Sequence, residues 1–300
     1  MSGPLAAAHE PYSFPTEFIE NVHVLPNGNQ LLSTIKSAGL LYTIDLGTSV
    51  TKAKQFAHFD DTATGLTGIV PLSSYLYAVG GGLHTSFAFE RGSVHVYIVS
   101  LETGTVVDSI PVPDTATLNG MAAIPRNPGV ILGADSIDGR IFSINTLTKE
   151  VKEVLRDSAL VPGEVKPGVP PIGNNGLRVR DNYVYFTNSA LGTFSRFPID
   201  EDGNKTGDFE VLARSPAPNH IYDDFAFDDN ENAYVAVHPS SINKITPDGV
   251  RTTLSLDPSV ALKEPTSVAV APDGKSMYVV TGGLFYTNPR QGGQVVQIHL

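Results

Sequence analysis

Apolar and polar residues alternate along most of the chain with a period of two, in short runs broken by Pro, Asn, Asp and Gly. Nowhere is the 3.6-residue period of an amphipathic helix sustained, so the pattern predicts strands joined by turns. One five-residue pattern recurs: a polar residue, any residue, an apolar one, any residue, then apolar or small. It reads Glu20-Asn-Val-His-Val, Thr67-Gly-Ile-Val-Pro, Asn119-Gly-Met-Ala-Ala, Asn175-Gly-Leu-Arg-Val, Asp223-Asp-Phe-Ala-Phe and Thr266-Ser-Val-Ala-Val. These anchors stand 43 to 56 residues apart, the period of a four-stranded propeller blade.

Behind each anchor comes a tight turn, such as Pro26-Asn-Gly-Asn or Pro272-Asp-Gly-Lys, built from residues that fix φ or tolerate positive φ. A second strand follows (Gln30–Thr34, Tyr75–Val79, Val130–Ala134, Tyr183–Asn188, Ala233–Val237, Met277–Thr281), then a third, and in most repeats a weaker fourth. The sixth repeat stops at its third strand, at Leu300, which would leave an open edge. Pro11–Phe18 is the segment expected to cover it. The chain therefore reads as all-β, a single six-bladed β-propeller over residues 1–300, with four-stranded blades and the ring closed by an N-terminal strand in the last blade.

In such a blade the first strand lines the central channel. The loop entering it and the loop from second to third strand share one face. The long insertions Gly80–Ser93, Ser158–Gly173 and Gly282–Gly293 all fall on that anchor face, and loops of this length usually carry function. Beneath them Glu20, Thr67, Asn119, Asn175, Asp223 and Thr266 are expected to form a floor. Glu20, Asn119, Asn175 and Asp223 supply two carboxylates and two amide carbonyls around one axis, which suits a single hard divalent cation such as calcium. No His or Cys stands at an anchor, which disfavours zinc. The insertions carry His84, Phe87 and Phe89, then Val161, Val165 and Val169 among prolines, then Leu284, Phe285 and Tyr286: an apolar, aromatic roof. His220 and Tyr222 precede or flank the fifth anchor and His238 ends the second strand of that blade, so all three are candidate donors to a substrate oxygen.

Composition narrows the chemistry. The net charge of −11, with no basic patch to offset it, disfavours nucleic acid and anionic membranes as partners. No cysteine is present, which removes disulfides, thiolate metal sites and cysteine nucleophiles. Gly80-Gly-Gly precedes no helix, and there is no Gly-x-Ser-x-Gly elbow, so neither a phosphate cradle nor a hydrolase serine is expected. No apolar run approaches a membrane span, Met1–Glu10 lacks the features of a signal peptide, and a cytoplasmic location is expected. No organic cofactor is expected, and the pattern leaves the oligomeric state open.

Several stretches resemble the regucalcin–gluconolactonase propellers, also described as calcium-dependent phosphotriesterase-like. They are Glu20-Asn-Val-His-Val-Leu-Pro-Asn-Gly, Asn119-Gly, Asn175-Gly-Leu-Arg-Val and Asp223-Asp-Phe-Ala-Phe-Asp. The resemblance implies that Glu20, Asn119, Asn175 and Asp223 bind one divalent metal and that Asp223 acts as general base in lactone hydrolysis. Two positions depart from it: Asn21 follows Glu20, and Asp224 follows Asp223, where glycine is usual. Tyr222-Asp-Asp-Phe-Ala-Phe-Asp, Gly133-Ala-Asp-Ser and Tyr185-Phe-Thr-Asn-Ser resemble a fungal branch of these propellers. That branch includes hetero-Diels–Alderases, which join an o-quinone methide to a humulene-type terpene in natural-product biosynthesis.

Two enzymatic expectations follow. In the first, which the apolar roof favours, the pocket holds a small hydrophobic substrate for a pericyclic reaction that needs no nucleophile. Thr67, His84, Phe87, Phe89, Thr266, Phe285 and Tyr286 would contact it, and His220, Tyr222, Asp223, Asp224 and His238 would provide polar catalysis. In the alternative, a bound metal polarises a lactone or ester carbonyl and Asp223 or Asp224 activates water. A non-catalytic interaction propeller is the third reading and calls for a narrow or plugged mouth.

Overall fold

The computed structural model describes residues 5–35, 39–47, 51–59, 62–164 and 167–300, and Val165 therefore lies outside the described residues. Among them there are strands and turns but no α-helix, and no helix long and apolar enough to cross a membrane. A short strand β1 (Leu5–Ala6) and a longer β2 (Ala8–Ser13) precede the first blade, which is β3 (Phe18–Val24), β4 (Gln30–Ile35), β5 (Leu40–Ile44) and β6 (Ala53–His58). Blade 2 is β7 (Gly65–Pro71), β8 (Leu76–Gly82), β9 (His95–Ser100) and β10 (Thr105–Pro111). Blade 3 is β11 (Met121–Ile124), β12 (Asn127–Asp135), β13 (Arg140–Asn145) and β14 (Val151–Arg156). Blade 4 is β15 (Asn174–Arg180), β16 (Tyr183–Asn188), β17 (Thr193–Pro198) and β18 (Glu210–Arg214). Blade 5 is β19 (Ile221–Phe227), β20 (Ala233–His238), β21 (Ser241–Ile245) and β22 (Arg251–Thr253), followed by β23 (Ser255–Leu256), which pairs in parallel with β1. Blade 6 is β24 (Pro265–Val270), β25 (Ser276–Thr281) and β26 (Gln294–His299), with β2 as its outer strand.

Every blade is antiparallel, and all but blade 6 are simple four-stranded meanders. The ring closes through β2 on β26, with Ala8 opposite Ile298 and Ser13 opposite Gln294. This corrects the expected closing segment Pro11–Phe18. Phe14 and Glu17 instead make backbone bonds to Gly293 that turn the chain from the rim to the channel, and Phe18 already belongs to β3. The β15–β16 hairpin shows how turn chemistry sets register. Asp181 and Asn182 both take positive φ, the conformation of a two-residue hairpin turn whose twist matches the strands.

The core is divided among the seams between blades. Leu31 and Leu41 of blade 1 pack on Tyr77 and Val79 of blade 2, Leu132 and Ile141 of blade 3 on Phe186 and Phe197 of blade 4, and Phe194 on Phe225 across the next seam. Each sheet is apolar on both faces because each face meets a neighbour. Stability is thus a chain of nearest-neighbour interfaces.

The channel interrupts the regular alternation. In five of the six first strands the ladder register breaks at or next to the anchor, and in blade 3 the anchor lies just before β11. In blades 2, 4 and 5 the break frees anchor and successor together from the ladder, whereas in blades 1 and 6 it frees the anchor alone and the successors stay paired with Ser33 and Val280. In blades 2, 3 and 4 the successors are Gly68, Gly120 and Gly176. A Cβ there would lie 2.5 Å from Asn119 O, 2.3 Å from Asn175 O and 2.6 Å from Asp224 Oδ1 respectively. In blades 1, 5 and 6 the successors are Asn21, Asp224 and Ser267. Asp224 Oδ2 accepts from Asn21 Nδ2 at 2.9 Å, from Ser267 Oγ at 2.9 Å and from an Arg178 guanidinium nitrogen at 2.8 Å. Four blades are thereby tied across the axis at one oxygen.

Removing one partner of a buried ion pair leaves the other unpaired, at a cost of about 3 kcal/mol or more. Asp224→Ala is therefore expected to lower the unfolding free energy in urea by about 3 kcal/mol. Adding Asn21→Gly to it should cost clearly less than Asn21→Gly costs alone, because the two share one contact.

Candidate active site

The anchor face carries a pocket over the channel. Its floor holds Glu20, Thr67, Asn119, Asn175 and Asp223, so five of the six anchors line one site. Its walls are Phe18, Ile35, Pro170, Ile172 and Ile221, and the 84–89 loop roofs it with His84, Phe87 and Phe89. The empty space, counted to the open mouth, is about 720 Å³. A polar floor under an apolar roof is the usual composition of a small-molecule site. On the opposite face Asn21 and Arg178 line a separate, more open vestibule, so the Asp224 tie lies between two openings.

The polar floor is held by internal hydrogen bonds. Asn175 Nδ2 donates to Asp223 Oδ1 at 2.8 Å and to Ser189 Oγ at 3.0 Å. The Thr67 hydroxyl donates to the Leu118 carbonyl. His238 bridges two acids, with Nε2 at 2.8 Å from Asp223 Oδ2 and Nδ1 at 2.5 Å from Glu264 Oε2. Burial opposes the charge on His238, but these two carboxyl groups outweigh it and push the imidazole up to about 9. At neutral pH the ring is an imidazolium donating from both nitrogens. Burial pushes the Asp223 carboxyl up, with His238 and Asn175 acting in the opposite sense.

Several expected site residues lie elsewhere. Asp224 faces the channel tie and does not line the pocket. Tyr222 is wholly buried in the seam between blades 4 and 5, its hydroxyl donating to Arg214 O and bonded to Asn243. The bulge after Tyr222 turns Asp223 to the channel and leaves the tyrosine facing the seam. The Thr266 hydroxyl is buried and donates to Ile19 O and Val280 O, where it stitches blade 6 to blade 1. His220 precedes β19 outside the pocket lining. Phe285 meets the pocket only indirectly, edge-on against Phe18 at 5.9 Å and beneath Arg290, and Tyr286 is exposed above it.

The pocket also holds residues that the sequence reading missed. Phe18, Thr117 and Ile221 each stand two residues before an anchor, on the same side of the chain, and Glu264 holds that place in blade 6. The period-two rule that found the anchors contained this signal.

Two carboxyl groups and two amides line one pocket, and Asn175 Oδ1 is buried without a partner among the described residues. An all-oxygen set with an unused acceptor fits a hard cation such as calcium. The amides are essential to that fit, since no cluster of three His, Cys, Asp or Glu with ligand spacing occurs among the described residues.

No protein-family model matches the chain. It is 26% identical over 89% of its length to a protein of a Phoma species that carries the provisional name hetero-Diels–Alderase, and covers 84% of that relative. A similarly named protein of Sarocladium schorii is 23% identical over 70% of this chain, which spans 58% of that relative's length. Among solved structures, regucalcin of Agrobacterium tumefaciens, described as calcium-binding, superposes with a TM-score of 0.67 at 14% identity, over 99% of this chain and 95% of that one. A provisionally named gluconolactonase gives 0.64 at 12% identity, over 100% and 93%. The fold is that of the regucalcin and gluconolactonase propellers. A luciferin-regenerating enzyme has the same fold, with a TM-score of 0.68 at 16% identity over 98% of this chain and 95% of that one.

A histidine raised to about 9 from 6.5 contributes stability that is fully present below pH 6.5 and lost as pH rises through about 9. The difference in unfolding free energy between the wild type and His238→Gln, measured in urea, should shrink between pH 6.5 and pH 9.5. A difference constant across that range would show that the ring carries no extra proton.

Proposed function

We propose that the protein is a hetero-Diels–Alderase that joins an o-quinone methide to a humulene-type sesquiterpene in the anchor-face pocket. The observation that carries this reading is the apolar, aromatic roof over a floor in which Asp223 and His238 are already paired to each other. The names of the two fungal relatives point the same way.

The reaction forms one bond from the methide carbon to an alkene carbon and one from the carbonyl oxygen to the other alkene carbon. No proton moves and no group leaves, so neither nucleophile nor base is required. Holding the two reactants in a near-attack geometry can supply roughly 7–11 kcal/mol. Phe18, Phe87, Phe89 and Ile172 provide the apolar surface for this. As the bonds form, negative charge grows on the quinone-methide oxygen, where a hydrogen-bond donor lowers the barrier. The Asn175 amide and the Thr67 hydroxyl are engaged elsewhere. The Asn119 side-chain amide lines the pocket with no partner among the described residues and is the donor assigned to that oxygen.

The unused Asn175 Oδ1 favours a second reading, a metal-dependent lactonase. A cation held by Glu20, Asn119, Asn175 and Asp223 would supply Lewis-acid polarisation of a carbonyl. In that reading Asp223 would have to leave His238 in order to accept a proton from water.

The two readings separate in one set of assays. With a chemically generated o-quinone methide and humulenol, the purified protein is expected to accelerate cycloaddition and to keep its rate after EDTA treatment. Asn119→Ala should lower kcat by about tenfold to a hundredfold. Hydrolysis of a lactone panel that is abolished both by EDTA and by Asp223→Ala, without cycloaddition, would replace the first reading by the second.

A further inference from the structure

Five pocket residues, His84, Ser86, Phe87, Ala88 and Phe89, come from the single loop between β8 and β9. That loop is a small hairpin with its own internal bonds. His84 bridges Phe89, Thr85 N donates to Ala88 O at 2.8 Å, and Glu90 N donates to Leu83 O at 2.8 Å. The His84 and Phe89 rings meet edge to face at 5.6 Å. Such a unit can tilt as one body, so what matters is how it is held.

It reaches blade 3 through Phe89 N, which donates to Ala116 O at 2.6 Å, and through the Arg91 guanidinium. Arg91 forks onto Asp138, at 2.8 Å and 2.9 Å to its two carboxylate oxygens, and donates to the Asp114 carbonyl at 2.6 Å. Arg140 fixes the same two acceptors from below, donating to Asp138 and to Asp114 O at 2.7 Å each, while its buried pair with Asp135 locks it into blade 3. The two arginines differ in exposure: the Arg140 side chain is 7% exposed and that of Arg91 52%. Arg140 builds the receptor and Arg91 is the removable half of the clasp. An exposed pair adds little to global stability. A bidentate one still fixes direction.

The geometry points to Arg91 as a positioning residue: its fork on Asp138 and the Asp114 carbonyl sets how closely the 83–93 hairpin stands over the pocket floor, and so how well the pocket grips a bulky apolar reactant. The identity of that reactant rests on the cycloaddition reading. The position of the hairpin does not.

The test uses Arg91→Met, Arg91→Lys and, as a control, Arg140→Met. Arg91→Met is expected to leave the thermal midpoint within about 2 °C of wild type. Amide exchange in residues 83–93, followed by mass spectrometry, should become about fivefold faster there and unchanged in the other blades. KM for humulenol should rise about fivefold with kcat changed less than about twofold, and Arg91→Lys should restore part of both effects. Arg140→Met should lower the midpoint itself. Unchanged exchange in 83–93, exchange rising throughout all six blades, or faster local exchange with unaltered KM would each overturn the assignment. Should the wild type show no cycloaddition, that reading fails on its own, and the exchange of residues 83–93 then decides alone whether Arg91 holds the hairpin.

Discussion

The architecture depends on one oxygen, Oδ2 of Asp224, which gathers Asn21, Arg178 and Ser267 across the axis of the ring. In a propeller each blade packs only on its two neighbours, so small errors in tilt accumulate around the circle. A contact that spans blades 1, 4, 5 and 6 fixes those tilts together. Its partners Asn21 and Asp224 are 203 residues apart in sequence, so forming it requires most of the ring to be in place. The outer closure, β2 on β26, acts at the rim, whereas the Asp224 tie acts at the hub.

The same tie explains two departures from the family pattern, Asn21 and Asp224. Asn21 and Asp224 stand where glycine is usual in the resembling family, and each departure alone argues against an intact anchor. In the structure they bond to each other at 2.9 Å. Three other successors, Gly68, Gly120 and Gly176, are glycine, where a Cβ would collide with a neighbouring blade. Two polar departures placed opposite one another form one compensated feature, and the anchors beside them keep their place on the pocket floor.

The blades, their order and the pocket face were legible because they are local and periodic. Alternation with turn residues marks strands, and a repeated anchor marks first strands. Less legible was the side to which each residue near a bulge turns, since one unpaired residue inverts the alternation. That is why Tyr222 falls in a seam and Asp224 at the hub although both adjoin Asp223. Also hidden were partners brought together only by the closed ring, such as Glu264 on His238 and Asp138 on Arg91. Phe18, Thr117 and Ile221 are a different case, because the alternation rule applied two residues upstream of the anchors finds them.

What the floor offers a ligand follows from how it is paired internally. Asp223 meets an amide on one oxygen and an imidazolium on the other, and that imidazolium meets Glu264 on its far side. A free carboxylate under an apolar roof would repel hydrocarbon by holding water. A carboxylate already hydrogen-bonded to protein donors binds less water, so the roof residues can close on an apolar reactant at smaller desolvation cost. Pairing also withdraws the floor from acid–base work, since taking a proton from His238 or giving one to Asp223 breaks a hydrogen bond that the floor already makes. A pocket arranged in this way suits chemistry that asks for enclosure, orientation and a hydrogen bond at one oxygen more than chemistry that asks for proton transfer.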